Sequence, residues 1–425
     1  MQLPSRIPSL NFKLPMNLGR RRDESLVGLD IQPGFVAAVQ ARVNGSILAE
    51  RACSLALPAD AMRDGEVIDE DAVSETLREL FTESGLSKRV RVGVANQRTV
   101  LRTLELPPVT DPKELAAAVN FQAQDQVPMP LDNAVMDFHP LGIVDTPAGP
   151  RQRVVLVAAQ RDMIERLLAA VRRAGLSAEA VDLSAFALIR SLYRTDPEQT
   201  QRVLYLNVDG LTNLAIAEGK ICRFTRVVGS GLEGMASELA ERRSIALTEA
   251  RELLAAVDLS RPAPAAQELA APEEDDTDLA APEPASEEQQ DGSPLSLEDA
   301  EASERSMSYE ELAAVDAEPA EPAAGRPQSD ADLWAVLENG IRDISGEVRN
   351  SLDFHRSQEG GGEVSHVVMT GAAEDIPGFA EALQSSLGVE VRRGEVGVFD
   401  DGAPKVLAPH RLAIATGLAA SEAPQ

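Results

Sequence analysis

The chain reads as an α/β protein of two similar lobes, with a small α+β unit inserted in the first and a long acidic insert in the second. Three observations predict this. Apolar stretches of period two give way to stretches of helical period, and the same strands-then-helix theme restarts at Arg202. A proline-bounded helix between Pro107 and Pro128 interrupts the first round of that theme. Charge is also uneven. Of a formal net charge of −29, about −18 falls in residues 262–330, where 20 Asp and Glu face only Arg305 and Arg326.

Residues 1–23 carry Arg6, Lys13, Arg20, Arg21 and Arg22 among prolines and polar residues. They read as a disordered basic tail, or as a weak contact with anionic lipid. From Leu26, "LVGLDI", "FVAAVQARV" and "ILAERACSLAL" alternate as strands, with a hairpin signal at Asn44–Ser46. The next helix spans Glu70–Ser84, with Val73, Leu77, Leu80 and Phe81 on one face and Gly85 as its stop. "RVRVGVA" and "VLRTLELP" are further strands.

Asp111, Pro112 and Glu114 then supply a cap acceptor, a first-turn proline and an acidic first turn for a helix running to Gln126. Its apolar stripe is Leu115, Ala118 and Val119. At 100° per residue, Phe121 lies about 120° from Leu115. It either packs under a neighbouring element or stands exposed for a partner. "RVVLVAAQ" is a strand that feeds a helix over Arg161–Arg173, and "AEAVDL" leads into the helix "SAFALIRSLY".

The second round opens with three antiparallel strands, turning at Asp209–Gly210 and Glu218–Gly219. A helical region to about Ser260 precedes the acidic Ala/Pro/Glu run, which has too few bulky apolar residues to offset ordering entropy. Beyond it come a helix over Asp332–His355, the strand "EVSHVVMTG", a helix over Gly378–Leu387, the strand "VEVRRG" and a last helix near Arg411–Ala420.

Composition narrows the function. The net charge of −29 disfavours nucleic acid as a partner. Cys53 and Cys222 alone make no disulfide framework or Cys-based zinc site, and the four His show no ligand spacing. No apolar run reaches the roughly 20 residues that span a bilayer, and no signal-peptide core is evident, so the expected location is cytoplasmic. Two similar α/β halves around a cleft suggest the actin/Hsp70/hexokinase architecture.

Several segments together resemble the PilM family of type IV pilus assembly, FtsA-related proteins of actin-like fold. These are "LPADAMRDGEVIDEDAVSETLREL", "LPPVTDPKELAAAVNFQAQDQVPMPLDNAVMDFHPLG", "VVLVAAQRDMIERLLAAVRRAGLSAEAVDLSAFALIRSLY", "VVMTGAAEDIPGFAEALQSSLGVEV" and "RLAIATGLA". The resemblance implies a first lobe over 24–201, with an inserted subdomain at about 88–152. It implies a second lobe over 202–425, interrupted at about 262–330. It further implies a non-catalytic scaffold at the inner membrane that takes the cytoplasmic N-terminal peptide of a PilN-like membrane protein and works beside the pilus motor ATPases. The peptide groove is expected between the first lobe and the inserted subdomain, with Phe121, Gln122 and Val127 as contacts.

The family holds ATP and Mg²⁺ between its lobes, and the matching positions here are altered. The pattern Asp-Ile-Gly becomes Asp30–Ile31–Gln32, followed by Pro33, which has no N–H for a phosphate, and Gly34. The second hairpin offers Asn207 and Asp209 before Gly210 and Thr212. Gly229 and Gly231 follow it, and the adenosine Gly-Gly reads Gly371–Ala372. The ribose helix carries Arg251 and Leu254 where the family has Glu and Lys. Asp30 is the one acid placed to order Mg²⁺. The expectation is weak nucleotide binding or none. An FtsA-like filament or a phosphotransferase on the same fold is the alternative.

Overall fold

The computed structural model describes residues 26–44, 46–147, 149–194, 201–261, 330–358, 360–396, 398–399 and 408–420. The basic tail and the acidic insert lie outside these, apart from Asp330, where a helix begins.

Strands β1 (Val27–Gln32), β2 (Phe35–Asn44) and β3 (Ser46–Ala56) form an antiparallel meander. A two-strand ribbon, β4 (Met62–Arg63) and β5 (Glu66–Val67), leads into α1 (Glu70–Ser84). Asp69 caps α1 by accepting the N–H groups of Asp71 and Ala72, and Gly85 ends it in the left-handed conformation. Strand β6 (Arg89–Val94) returns parallel to β1, as a strand reached through a crossover helix must.

The inserted unit follows. It comprises β7 (Val100–Leu106), α2 (Pro112–Gln126), β8 (Ala134–Thr146) and β9 (Gly149–Gln160), its sheet ordered β7-β9-β8. Helix α2 packs on one sheet face through Leu115, Val119 and Ala123, against Leu104, Leu106, Val154, Leu156 and Ala158. Strand β8 is not apparent in the sequence. Pro140 and Gly142 flank a register shift in its pairing with β9, and its outer half is exposed, so the two-residue alternation fails there. The insert also begins and ends later than residues 88–152, because β6 belongs to the first sheet and β9 runs on to Gln160.

Helix α3 (Arg161–Arg173), β10 (Ser177–Leu183) and α4 (Ser184–Leu192) complete the first round. The second begins with β11 (Arg202–Val208), β12 (Thr212–Glu218) and β13 (Ile221–Val228). Helices α5 (Leu232–Arg243), α6 (Leu247–Ala255) and α7 (Asp330–Ser357) follow, then β14 (Val364–Thr370), α8 (Phe379–Leu387) and β15 (Val391–Arg393). Last come β16 (Val398–Phe399) and α9 (Ala413–Ala419).

The sheets are topological duplicates. In each, a three-strand meander gains two parallel strands beside its first strand. One reads β3-β2-β1-β6-β10, with β16 added next to β3, and the other β13-β12-β11-β14-β15. Residue alternation splits their burial. Leu204, Leu206 and Val208 face the core beneath α5 to α8, while Val203 and Tyr205 face a second core with α4, α9 and the inserted sheet.

The chain after residue 202 does not stay with the second sheet. Strand β16 pairs with β3, and α9 lies on the first sheet. Gly28 and Gly417 allow this. A Cβ on Gly28 would stand 2.0 Å from the Ala415 carbonyl oxygen, and one on Gly417 1.9 Å from that of Ala187. Backbone therefore meets backbone where α9 crosses β1 and α4.

Candidate functional site

The two meander turns face each other between the lobes. Asp30 lies within the fully buried β1, and the Gln32 amide donates to its Oδ2 at 2.7 Å. Burial raises the Asp30 pKa to about 7. The Gln32 bond offsets part of this, and the charge of Asp209 adds to it. Gln32 Oε1 is itself buried without a hydrogen-bond partner among the described residues.

On the opposite turn, Asp209 Oδ2 accepts from the Asn207 amide at 2.8 Å, and its Oδ1 accepts the Ala372 N–H at 2.6 Å. Burial raises this pKa as well, against the Ala372 and Asn207 bonds and the charges of Arg411 and His410. The turn also stoppers a helix. The Leu232 N–H, first in α5, donates to the Asp209 carbonyl at 2.8 Å. A Cβ on Gly231 would meet the Gly210 carbonyl oxygen at 2.4 Å, and one on Gly210 the Pro33 oxygen at 2.2 Å. The tips of the two turns are thus in backbone contact.

Beside them lies a cavity of about 400 Å³. Gly34, Phe35 and Leu55 line it from the first sheet, Leu232 and Leu254 from α5 and α6, and Ala372, Ile376 and Arg411 from the far wall. Its principal charges are tied up. Arg251 Nε donates to Glu233 Oε2 at 2.9 Å, and Arg411 is paired with Asp375, which also bonds His410 Nε2 at 2.8 Å. No spacing announces the Glu233–Arg251 pair, whose members sit on different helices eighteen residues apart. Gly371 enters the wall at φ 100°, and a Cβ there would stand 2.5 Å from the Val208 oxygen.

Of the residues expected to hold nucleotide, Gly34, Asp209, Gly210 and Ala372 line this cavity. Asp30, Asn207, Gly231 and Gly371 do not line it; Asp30 and Asn207 are buried, Asn207 and Gly231 contact the lining residue Asp209, and Gly371 precedes Ala372. Thr212 is elsewhere occupied, its fully buried hydroxyl donating to the Ser230 carbonyl at 2.6 Å. Gly229 faces Gln97 and Asp64 rather than the cavity. Among the described residues, no group of three or more His, Cys, Asp or Glu is placed to hold a metal ion.

The expected peptide contacts separate. Phe121 is 74% exposed on the face of α2 away from the Leu115/Val119/Ala123 stripe, and Gln122 beside it is half-buried. Val127 does not share that surface. It ends α2 with its N–H on the Ala123 carbonyl, and where the backbone leaves the helix in an extended conformation its side chain enters the subdomain core. It therefore anchors the helix and offers nothing to a partner.

The model of the family "Type IV pilus assembly protein PilM" matches residues 28–252, just over half of the chain. Among solved structures, a PilM–PilN type IV pilus biogenesis complex is similar at 21% identity and a TM-score of 0.64, covering 93% of this chain and 97% of that one. The ethanolamine utilization protein EutJ from Carboxydothermus hydrogenoformans matches at 15% identity and a TM-score of 0.45, over 94% of this chain and 90% of that one. MreB5 of Spiroplasma citri bound to AMPPNP matches at 12% and 0.46, over 93% and 95%. The duplicated sheet order and the PilM–PilN likeness make this an actin-like fold, and the chain belongs to the type IV pilus assembly protein PilM family.

Proposed function

We propose that this chain is a non-catalytic scaffold of type IV pilus assembly, working at the cytoplasmic face of the inner membrane. It captures the N-terminal peptide of a PilN-like membrane protein and does not depend on Mg-ATP. The observation that carries peptide capture is the exposed Phe121 on the inserted subdomain of a PilM-family chain. Among the described residues no helix is long and apolar enough to cross a membrane.

Support for a nucleotide-free cleft comes from where its donors point. A phosphate held between two hairpins needs free N–H groups and room between the tips. Pro33 has no N–H, Gly210 packs on the Pro33 carbonyl, and the Ala372 and Leu232 N–H groups are bound to Asp209. Asp30 and Asp209 place two acidic side chains behind the same turns. These residues do not fit Mg-ATP.

The test is a titration with a PilN-like N-terminal peptide. Phe121→Ala should weaken binding roughly thirtyfold with an unchanged melting curve. Unchanged affinity would remove Phe121 from the interface. Calorimetry with Mg-ATP should give no binding heat. The cavity of about 400 Å³ favours the other reading, an ATP-binding relative. Low-micromolar binding that disappears in Asp30→Ala would establish it.

A further inference from the structure

Strands β7 and β13 each end their sheet, so each has one side without a strand partner. The two edges meet, and beside their contact residues of both line a groove of about 540 Å³ between the inserted subdomain and the second lobe. In a chain of net charge −29 its lining runs the other way. Arg102, Arg153, Arg202 and Arg223 face it against only Glu105 and Glu218. Arg153 is paired with Glu105 at 2.9 Å, while Arg223 and Arg202 share Glu218 at 3.2 and 3.6 Å. Arg102 makes no ion pair among the described residues and donates to the Leu101 carbonyl at 2.9 Å.

The end of α7 forms the other wall. His355 is 3% exposed, and neither ring nitrogen has a hydrogen-bond partner among the described residues; Arg202 Nε is buried in the same condition. Burial, with Arg202 and Arg223 alongside, lowers the His355 pKa, so the ring presents one donor and one acceptor at neutral pH. Phe224 and the 51% exposed Phe354 make a tilted pair, centroids 5.9 Å apart, that gives the groove an apolar shelf. A buried polar ring left unsatisfied is destabilising.

We propose that this groove binds an extended acidic peptide of a partner protein. Its carboxylates meet the Arg102/Arg202/Arg223 cluster, and its apolar side chains meet the Phe224/Phe354 shelf. The apolar Phe224/Phe354 shelf beside the arginines favours a peptide over a small anion, and the overall charge disfavours nucleic acid. This surface is separate from Phe121 and from the interlobe cavity, so its test stands apart from theirs.

The experiment uses the full chain and a fluorescein-labelled peptide of alternating valine and glutamate, followed by anisotropy at low salt. The expected result is saturable binding, none by the valine/lysine counterpart, and at least roughly tenfold weaker binding for Arg102→Glu. Phe121→Ala should leave it unchanged. Phe354→Ala, at an exposed position, should also weaken it and serves if Arg102→Glu does not fold. Absent saturation, equal binding of both peptides, or indifference to both substitutions would overturn the proposal. So would an oligonucleotide that binds with the same sensitivity to Arg102→Glu. Binding seen only after residues 262–329 are replaced by a Gly/Ser linker would assign the groove to the chain's own acidic run instead.

Discussion

Asp30 shows how one residue's role changes with its surroundings. At a strand end followed by Ile31, it reads as an acid for Mg²⁺. In the fold it is buried, bonded to Gln32 and close enough to Asp209 to feel its charge, with a pKa of about 7. A carboxyl whose folded pKa exceeds its unfolded value binds more protons in the native state, so its ionisation lowers stability as pH rises from about 4 to about 7. Asp30→Asn keeps the acceptor for Gln32 and removes that ionisation. It should melt higher than the parent at pH 8, and the difference should shrink to nothing below about pH 4, as thermal unfolding followed by circular dichroism would report. A lower melting point at pH 8 would mean that the charged form is stabilised by an ion.

Helix α2 sets two residues of similar hydrophobicity against each other. Leu115 is buried on the inserted sheet and Phe121 is 74% exposed. Leu115→Ala should therefore cost about 2–5 kcal/mol, whereas Phe121→Ala should stay within about 0.5 kcal/mol in urea unfolding. The helical period in the sequence separated the two faces but left open whether anything covers Phe121, since that depends on what packs outside the helix. The same limit applied to Val127, whose burial depends on the subdomain core it joins beyond the helix end. Capping, by contrast, was legible at Asp111, because a cap is made by neighbours in sequence; the cap at Asp69 is of the same local kind. Asp69→Ala should lower stability by about 1 kcal/mol.

At the scale of the whole molecule, α9 ties the chain's end back to its beginning. Arg91, buried in β6, donates to the carbonyls of Leu418 and Ala420 at 2.9 and 2.7 Å. Arg190 of α4 donates to the Gly417 carbonyl at 3.0 Å. Placing a side chain at 417 would force α9 off α4, where the Ala187 carbonyl leaves no room. Gly417→Val should therefore destabilise by more than about 3 kcal/mol and expose the first sheet to amide hydrogen exchange. Retained protection of β1 would show that α9 is dispensable.

Local order was written in the residues. Helices over Glu70–Ser84 and Arg161–Arg173 have the bounds that capping and periodicity assign them. The repeated strands-then-helix theme became two sheets of the same order. These features depend on contacts a few residues apart, or on a pattern that recurs. Tertiary structure alone decided that Glu233 would hold Arg251, that Pro33 would meet Gly210, and that β7 and β13 would meet beside a groove. Each joins positions from separate elements, and no local period carries their distance or their direction.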